Sequence, residues 1–316
     1  MDLITVIAMI TFGSLSASSF YVPLKYIKAG QWEVYWLALS IVTCILLPWT
    51  FILMSAPANH LRVVLNVIPY SNVLSTIFWG AIWGVGGLFL GLSIKRLGIG
   101  LGQSLVVGIW GIWGLFFSPL LGEININPHV DPFFALLIIL ISMAAIGSIG
   151  YLNYQSRIPK IGKAFLLAVG AGLMSVGMNI GYVAGIPIDH KMVEYGVNPL
   201  FQSTLTLAFI LLGGFIPNAI YCLIVSLKNQ AGQSPASINY PSFLERLLMT
   251  LIAGGLWYLP FYFLGLGKNI LPLSSQPYAW SLWIGLQVIF AIIWGILLLE
   301  PKVKRGNFRF KQLHRA

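Results

Sequence analysis

Long apolar stretches separated by short polar joints run along the whole chain. A bilayer core of about 30 Å needs about 20 apolar residues per helix, and nine stretches approach or exceed that length. They lie near residues 3–24, 34–55, 72–94, 98–121, 132–151, 163–186, 200–227, 245–267 and 277–299. The pattern predicts an all-α, polytopic membrane protein with nine transmembrane helices. The first stretch lacks a basic segment before it, so we interpret it as a retained helix rather than a signal peptide.

Prolines and glycines predict irregularities in these helices. Pro48 predicts a kink near the end of the second helix, because proline removes a backbone hydrogen bond. Pro217, after Gly213 and Gly214, predicts a broken or bent seventh helix. The joint 56–71 is too short to span the bilayer, and its composition predicts a small amphipathic piece on the outer surface.

Composition agrees with a membrane protein. Hydrophobic residues make up 58% of the 316 residues and charged residues only 8%, which is too little charge to cover a soluble globule. The net charge of +10 does not indicate a nucleic-acid partner, because the basic residues are spread over the joints and not gathered on one domain.

The basic residues predict the orientation in the membrane. Of the 18 Lys and Arg residues, all but Arg62, Lys191 and Lys268 lie in joints that follow odd-numbered stretches or in the tail 301–316. By the positive-inside rule these joints face the cytoplasm. We therefore expect an external N-terminus and a basic cytoplasmic tail.

Part of the pattern occurs twice. The third and eighth stretches share six residues at a constant spacing, and the first and sixth share a weaker Gly/Ser pair: Gly80, Trp83, Phe89, Leu90, Gly91 and Leu92 recur as Gly254, Trp257, Phe263, Leu264, Gly265 and Leu266, and Gly13 and Ser16 as Gly172 and Ser175. We expect a five-helix repeat in residues 1–157 and a second repeat of four helices in 158–300. A repeat with an odd number of helices enters the membrane inverted, as in many transporters.

Aromatic and amide side chains inside the stretches are the candidate binding residues. Indole and phenol rings cover the C–H face of a sugar, while amides exchange hydrogen bonds with its hydroxyl groups. The candidates are Trp79, Trp83, Gln103, Asn179, Trp257, Tyr258, Tyr262 and Gln287. For any one of them, packing between helices is the competing interpretation.

The sequence contains no recognisable catalytic motif and no metal-ligand cluster. We therefore expect a protein that is not an enzyme and that uses neither a cofactor nor a metal. Proton coupling needs a titratable group, and none of the eight acidic residues lies at the centre of a stretch. Glu33, beside Trp32 at a membrane boundary, is the candidate by elimination.

Several blocks of the sequence are distinctive. They are FYVPLKYIK (20–28), Trp32-Glu33, LLPW (46–49), FWGAIWGVGG (78–87), GLSIKRLGIGLG (91–102), MSVGMN (174–179), YGVNPLF (195–201) and GGLWYLPFYF (254–263). Together these blocks resemble the L-rhamnose-proton symporter family of the drug/metabolite transporter superfamily. The resemblance implies a ten-helix, inverted-repeat secondary carrier that imports a deoxysugar such as L-rhamnose with a proton across the bacterial inner membrane. The implied partners are the sugar, the proton and the lipid bilayer, with a homodimer also possible.

The chain departs from the family pattern in two places. It ends soon after the ninth stretch, so we expect the tenth helix to be missing, and the family's Arg-Tyr pair after the third helix reads Lys95-Arg96. Two other functions stay open from the residues. One is an exporter or exchanger of another small metabolite, and the other is a nontransporting, truncated membrane subunit.

Overall fold

The structure, a computed structural model, describes residues 3–26, 32–120, 161–230, 240–271 and 276–298. Within these ranges all regular structure is helical. The α-helices are α1 Leu3–Ser19, α2 Trp32–Ile41, α3 Leu47–Ser55, α4 Ala58–Val67, α5 Tyr70–Gly98, α6 Ser104–Leu120, α7 Ile161–Glu194, α8 Thr204–Gln230, α9 Tyr240–Ile270 and α10 Gln276–Leu297.

Seven helical stretches are long and apolar enough to cross a membrane. They are Ile4–Tyr26, Trp32–Ser55, Tyr70–Trp113, Gly162–Glu194, Pro199–Lys228, Leu244–Gly267 and Ala279–Leu297. The third of these contains α5 and the first part of α6, so eight of the predicted stretches coincide with helices. The predicted fifth stretch, 132–151, lies outside the described residues. The architecture is that of a multi-pass, all-helical membrane protein.

A reversal at Gly98 separates α5 from α6. Gly98 has a φ of 84°, a left-handed conformation that suits a residue without a Cβ. A π-helical turn, Ile99–Gln103, follows and packs back against α5. Helix α5 therefore includes Lys95 and Arg96, which the sequence pattern placed in a joint, and the reversal brings Gln103 to the start of α6.

The prolines act differently in the second and seventh stretches. The predicted irregularity near Pro48 is a π-helical turn, Val42–Leu46, between α2 and α3. Proline has no N–H to donate, and a π-helical turn before it lets the chain stay helical without that hydrogen bond. The predicted break at Pro217 is wrong, because α8 continues through this residue to Gln230. The amide of Asn218 donates to the Gly214 carbonyl in the same turn, at 2.8 Å.

The joint after the second stretch contains the amphipathic helix α4, as predicted. Leu61 and Val64 are buried, whereas Arg62 and Asn66 are exposed. Apolar side chains are also exposed around the bundle, including Met54, Ile220, Leu227 and Ile296. An apolar outer surface of this kind suits contact with lipid chains.

Two groups of helices form the interior. Helix α5 packs against α7 and α8, and α1 packs against α9 and α10. Glycines bring α5 and α8 together backbone to backbone: a Cβ on Gly80 would overlap the Ile210 carbonyl, and a Cβ on Gly84 would overlap the Gly214 carbonyl. Small residues allow such close approach between membrane helices.

Serine hydroxyls attach α1 to its neighbours. Ser14 and Ser18 donate to the backbone carbonyls of Trp283 and Gln287 on α10, at 3.1 and 2.9 Å. Ser16 donates to the Leu256 carbonyl on α9 at 2.9 Å. This carbonyl would normally pair with the N–H of residue 260, which is a proline and has none. Ser16 thus supplies the missing donor.

Candidate functional site

A cavity of about 50 Å³ lies inside the bundle, which we call the central cavity. Helices α5, α6, α7, α9 and α10 line it together with residues 17 and 20 from the end of the first stretch. Its polar lining residues are Gln103, Ser175 and Gln287, and its aromatic lining residues are Phe20, Trp83, Trp110, Trp257, Phe261 and Trp283.

Three residues that line the central cavity each carry a buried polar atom with no hydrogen-bond partner among the described residues. These atoms are Gln103 Oε1, Trp283 Nε1 and Gln287 Nε2. The Gln103 amide is oriented by its Nε2, which donates to the Ala17 carbonyl at 2.7 Å. Leaving buried polar atoms unpaired is costly. One acceptor and two donors around one cavity therefore indicate a site for a hydroxylated ligand or for ordered water.

Aromatic rings fix the walls of the central cavity. Trp110 meets Trp280 and Trp283 edge to face, with centroids 5.0 and 5.1 Å apart. The ring centroids of Trp257 and Phe20 are 3.8 Å apart. These rings are held by contacts with each other, so their faces form a preorganised apolar surface.

A second cavity of about 20 Å³ adjoins the first, and Trp110 and Phe261 line both. Asn179 lines the second cavity and accepts a hydrogen bond from Trp110 Nε1 at 3.3 Å. Trp280 also lines it, and its buried Nε1 has no partner in the described part of the chain. The second cavity lies toward the end of the bundle where α7 ends.

A third cavity, also of about 20 Å³, borders the central cavity at Trp83, Gly87 and Trp257. Asn218 lines this cavity, and both ends of its amide are hydrogen-bonded. Oδ1 accepts from Trp36 Nε1 at 2.8 Å, and Nδ2 donates to the Gly84 and Gly214 carbonyls. None of the residues that line the three cavities is charged. The three cavities therefore suit a neutral ligand.

The structure brings five of the eight candidate residues to these cavities. Trp83, Gln103, Trp257 and Gln287 line the central cavity, and Asn179 lines the second. Trp79, Tyr258 and Tyr262 are not among the lining residues of the three cavities.

The three remaining candidates pack elsewhere. Trp79 is partly exposed, and its ring lies beside that of Phe78. Tyr258 is buried, and it packs with Tyr262 and Phe51.

Sequence reasoning missed Phe20, Trp110 and Trp283 as lining residues. Trp283 could have been predicted from the sequence, because it precedes Gln287 by four residues and therefore lies on the same face of the helix. Trp110 lies in an apolar stretch with several other aromatic residues, so nothing separated it from ordinary packing. Phe20 lies just beyond the end of α1, outside any periodic pattern.

Glu33 lies apart from the cavities, in the first turn of α2. Its side chain is 12% exposed, and Oε1 lies 4.0 Å from Lys95 Nζ. Lys95 Nζ is also 4.9 Å from the ring centroid of Trp32. The carboxylate is therefore mostly shielded and has a cation beside it.

Comparison with known proteins identifies the family. The family model of the L-rhamnose-proton symport protein (RhaT) matches residues 2–307. The L-rhamnose-proton symporter of Yersinia pestis (strain Pestoides F) is 28% identical over 302 residues, which cover 92% of this chain and 87% of the relative. The protein of the same name from Salmonella paratyphi B is 27% identical with the same coverage.

No solved structure matches the chain. The family model covers nearly all of the sequence, and it describes sugar–proton symport, which is a transport activity and not an enzymatic one. The chain therefore belongs to the L-rhamnose-proton symport protein family and is a membrane transporter.

Proposed function

We propose that the chain imports L-rhamnose together with a proton across the cell inner membrane and binds the sugar in the central cavity. The observation that carries this proposal is that three residues lining an uncharged aromatic cavity each carry an unpartnered polar atom, Gln103 Oε1, Trp283 Nε1 and Gln287 Nε2. A sugar hydroxyl donates to one of them and accepts from the others, and the indole rings of Trp83 and Trp257 cover its C–H faces.

The size of the central cavity bears on the transport cycle. One water needs about 10 to 15 Å³ of such space, so a cavity of about 50 Å³ holds only a few waters. A six-carbon sugar has several times as many heavy atoms. The sugar must therefore widen the cavity, and the structure represents a closed conformation of an alternating-access cycle.

Packing of the repeated residues supports an inverted duplication with repeats in 1–157 and 158–300. Trp83 and Trp257, which correspond in the sequence pattern, both line the central cavity. Their partner glycines also correspond: Gly80 packs against α8, and Gly254 packs against Val42 in the second stretch. The Gly/Trp pair of the first repeat therefore packs against the seventh stretch, and the pair of the second repeat packs against the second stretch. This exchange of equivalent contacts is expected of halves related by a two-fold axis.

We place the end of the bundle that carries Lys95 and Arg96 in the cytoplasm, following the positive-inside rule. The opposite end carries α4 and the end of α7. Asn72, near the start of α5, donates to the Ala184 carbonyl of α7 at 2.9 Å, so Lys95 at the other end of α5 is remote from it. In this orientation the second cavity, with Asn179 and Trp280, lies on the external side of the central cavity.

Glu33 is the proposed proton-coupling residue. Its carboxylate is mostly shielded, and it lies 4.0 Å from the Lys95 ammonium group at the end of the bundle that we place in the cytoplasm. The sugar site contains no titratable carboxylate among its lining residues, so the proton and the sugar occupy different places.

Uptake of labelled L-rhamnose into proteoliposomes tests the proposal. An inward proton gradient should drive accumulation, an uncoupler should abolish it, and a panel of competing sugars should report the specificity. Glu33→Gln should leave exchange of sugar at equilibrium but lose accumulation. Accumulation that persists in Glu33→Gln would remove Glu33 from the coupling step, and no uptake by the wild-type protein would contradict the proposed import.

A further inference from the structure

Four aromatic rings fill the space between the central cavity and the Lys95 end of the bundle. Phe20 and Trp257 line the cavity. Trp257 packs edge to face against Trp36, with ring centroids 5.5 Å apart. Trp36 stacks on Trp32, with ring centroids 4.8 Å apart and an interplanar angle of 19°. We call Phe20, Trp257, Trp36 and Trp32 the aromatic column. It begins at the sugar site and ends at the side chains of Lys95 and Glu33.

Specific contacts hold the aromatic column in place. Trp36 Nε1 donates to Asn218 Oδ1 at 2.8 Å, and Trp32 Nε1 donates to the Tyr21 hydroxyl at 3.0 Å. A Cβ on Gly91 would overlap the Trp36 indole, so the glycine provides the space in which the ring lies. Trp32 and Trp36 are 5% and 2% exposed. The column therefore closes this end of the bundle.

A shared cation caps the outer end of the column. Lys95 Nζ lies 4.9 Å from the Trp32 ring centroid and 4.0 Å from Glu33 Oε1. Among the described residues Lys95 on α5 faces Glu33. Tyr221 and Cys222 on α8 lie within electrostatic range of Glu33, and Arg96 lies within range of Tyr221. When the carboxylate gains a proton, it stops attracting Lys95, and the cation is free to leave the ring for water.

We propose that Lys95 and Trp32 are the positioning residues that transmit protonation of Glu33 to the aromatic column, so that the cytoplasmic end opens only when the proton is bound. The inference rests on the proposed function and orientation and adds the means of coupling. Charged Glu33 holds Lys95 over Trp32 and keeps the column closed, whereas neutral Glu33 releases it.

The two ends of the column account for coupling between the two ligands. The sugar touches Trp257 and Phe20 at the inner end, and the proton changes the contacts of Trp32 at the outer end. Coupling between separate sites requires an element whose two states are biased by both ligands. The aromatic column lies in direct contact with both sites, which meets this requirement.

The native Cys222 reports opening of the column. Its side chain is fully buried, and it lies one turn beyond Asn218, the partner of Trp36. A membrane-impermeant maleimide is added to inside-out vesicles, which expose the cytoplasmic face. Labelling is read by mass spectrometry of the Cys222 peptide. Glu33 lies within electrostatic range of Cys222, so loss of its negative charge by itself favours the thiolate and speeds labelling. Loss of the positive charge of Lys95 acts on the thiol in the opposite direction, so faster labelling in both variants reports opening of the column. Cys44, which lines the third cavity, is followed in the same sample.

At pH 8, Glu33→Gln and Lys95→Met should label Cys222 about two to five times faster than the wild-type protein, the shift expected when one partly shielded ion pair is lost. Lys95→Arg should restore slow labelling. Glu194→Gln is the matched control, because Glu194 pairs with Lys191 at 2.7 Å at the other end of the bundle; it should label at the wild-type rate.

Equal labelling of Glu33→Gln, Lys95→Met and the wild-type protein at pH 8 would overturn the inference. So would an equal increase in all variants including Glu194→Gln, which would indicate general loosening. This readout is separate from uptake. Wild-type protein that labels as expected but takes up no L-rhamnose contradicts the proposed substrate alone, and coupled uptake with unchanged labelling contradicts the coupling role of Lys95 and Trp32 alone.

Discussion

At the scale of single residues, the unpaired Nε2 of Gln287 allows a test that distinguishes an effect on sugar binding from an effect on folding stability. Its Nε2 is buried without a partner among the described residues, so replacing it with an apolar group removes no protein hydrogen bond made by that atom. A bound sugar would lose one hydrogen bond. Binding and folding should therefore respond differently to the same substitution.

We expect Gln287→Met to raise the KM for L-rhamnose about two- to tenfold, since one neutral hydrogen bond is worth about 0.5 to 1.5 kcal/mol. The melting temperature in detergent should stay the same or rise. Uptake kinetics and thermal unfolding check the two parts. Gln202→Leu is the control, because Gln202 lies outside the three cavities and its amide is 3.3 Å from Asn269 Oδ1; its KM should not change. An unaltered KM in Gln287→Met would remove Gln287 from the site.

Residue chemistry was easier to predict than residue position. Gln103 and Gln287 were recognisable because a buried amide in an apolar helix needs a partner. Trp79 and Trp83 share a face of α5, yet four residues correspond to about 6 Å along the helix axis. Only Trp83 is deep enough in the bundle to reach the central cavity. The depth of the cavity depends on how six stretches pack together, which no single stretch contains.

At the scale of helices, the contact between α5 and α8 is set by glycines. Gly84 and Gly214 meet without room for a side chain, and the Gly84 carbonyl accepts from Asn218 Nδ2 at 3.0 Å. An added methyl group would push the helices apart and weaken both the packing and this hydrogen bond.

Gly84→Ala should therefore destabilise the protein by about 1 to 3 kcal/mol, the usual cost of overpacking. Gly255 on α9 is the matched control, because a Cβ there meets no atom within 4 Å. Gly255→Ala should be neutral or stabilise the helix by up to about 1 kcal/mol. Thermal unfolding in one detergent compares the two variants. A Gly84→Ala variant as stable as Gly255→Ala would show that the contact tolerates separation.

The presence of the helices was predictable, but their ends and interruptions were less so. Twenty apolar residues identify a span because the bilayer fixes its length. The basic residues Lys95 and Arg96 were placed in a joint, although long basic side chains can remain in a helix and extend to the membrane surface. Pro217 does not break α8, since membrane helices tolerate proline where neighbouring groups satisfy the freed backbone.

At the scale of the whole molecule, the orientation in the membrane can be tested with two exposed positions. Asn66 on α4 and Glu245 near the start of α9 are both exposed, and the positive-inside rule places them on opposite sides. We expect an impermeant thiol reagent to label Asn66→Cys in intact cells and Glu245→Cys only in inside-out vesicles. Each variant serves as the control for the other, and the reverse pattern would invert the proposed topology.

The multi-pass, all-helical architecture was predictable from the apolar spacing, because the bilayer thickness acts as a constraint along the sequence. The inverted repeat expected from the Gly/Trp pattern stays a prediction. The aromatic column was not predictable. Trp32 and Trp36 share a helix face, but Phe20 and Trp257 come from two other stretches with no spacing that relates them to this pair. The contacts that join the four rings arise only when the helices pack together.

The place of Glu33 at one end of the bundle has an electrical consequence. In the proposed symport a neutral sugar and one proton carry one positive charge inward, and in the proposed orientation a proton that reaches Glu33 from outside has already crossed most of the membrane voltage. Each 100 mV contributes about 2.3 kcal/mol per charge, equivalent to about 1.7 pH units. An energised cell would therefore load this carrier at an external pH well above the one that a de-energised vesicle requires, and voltage would act on proton capture more than on release.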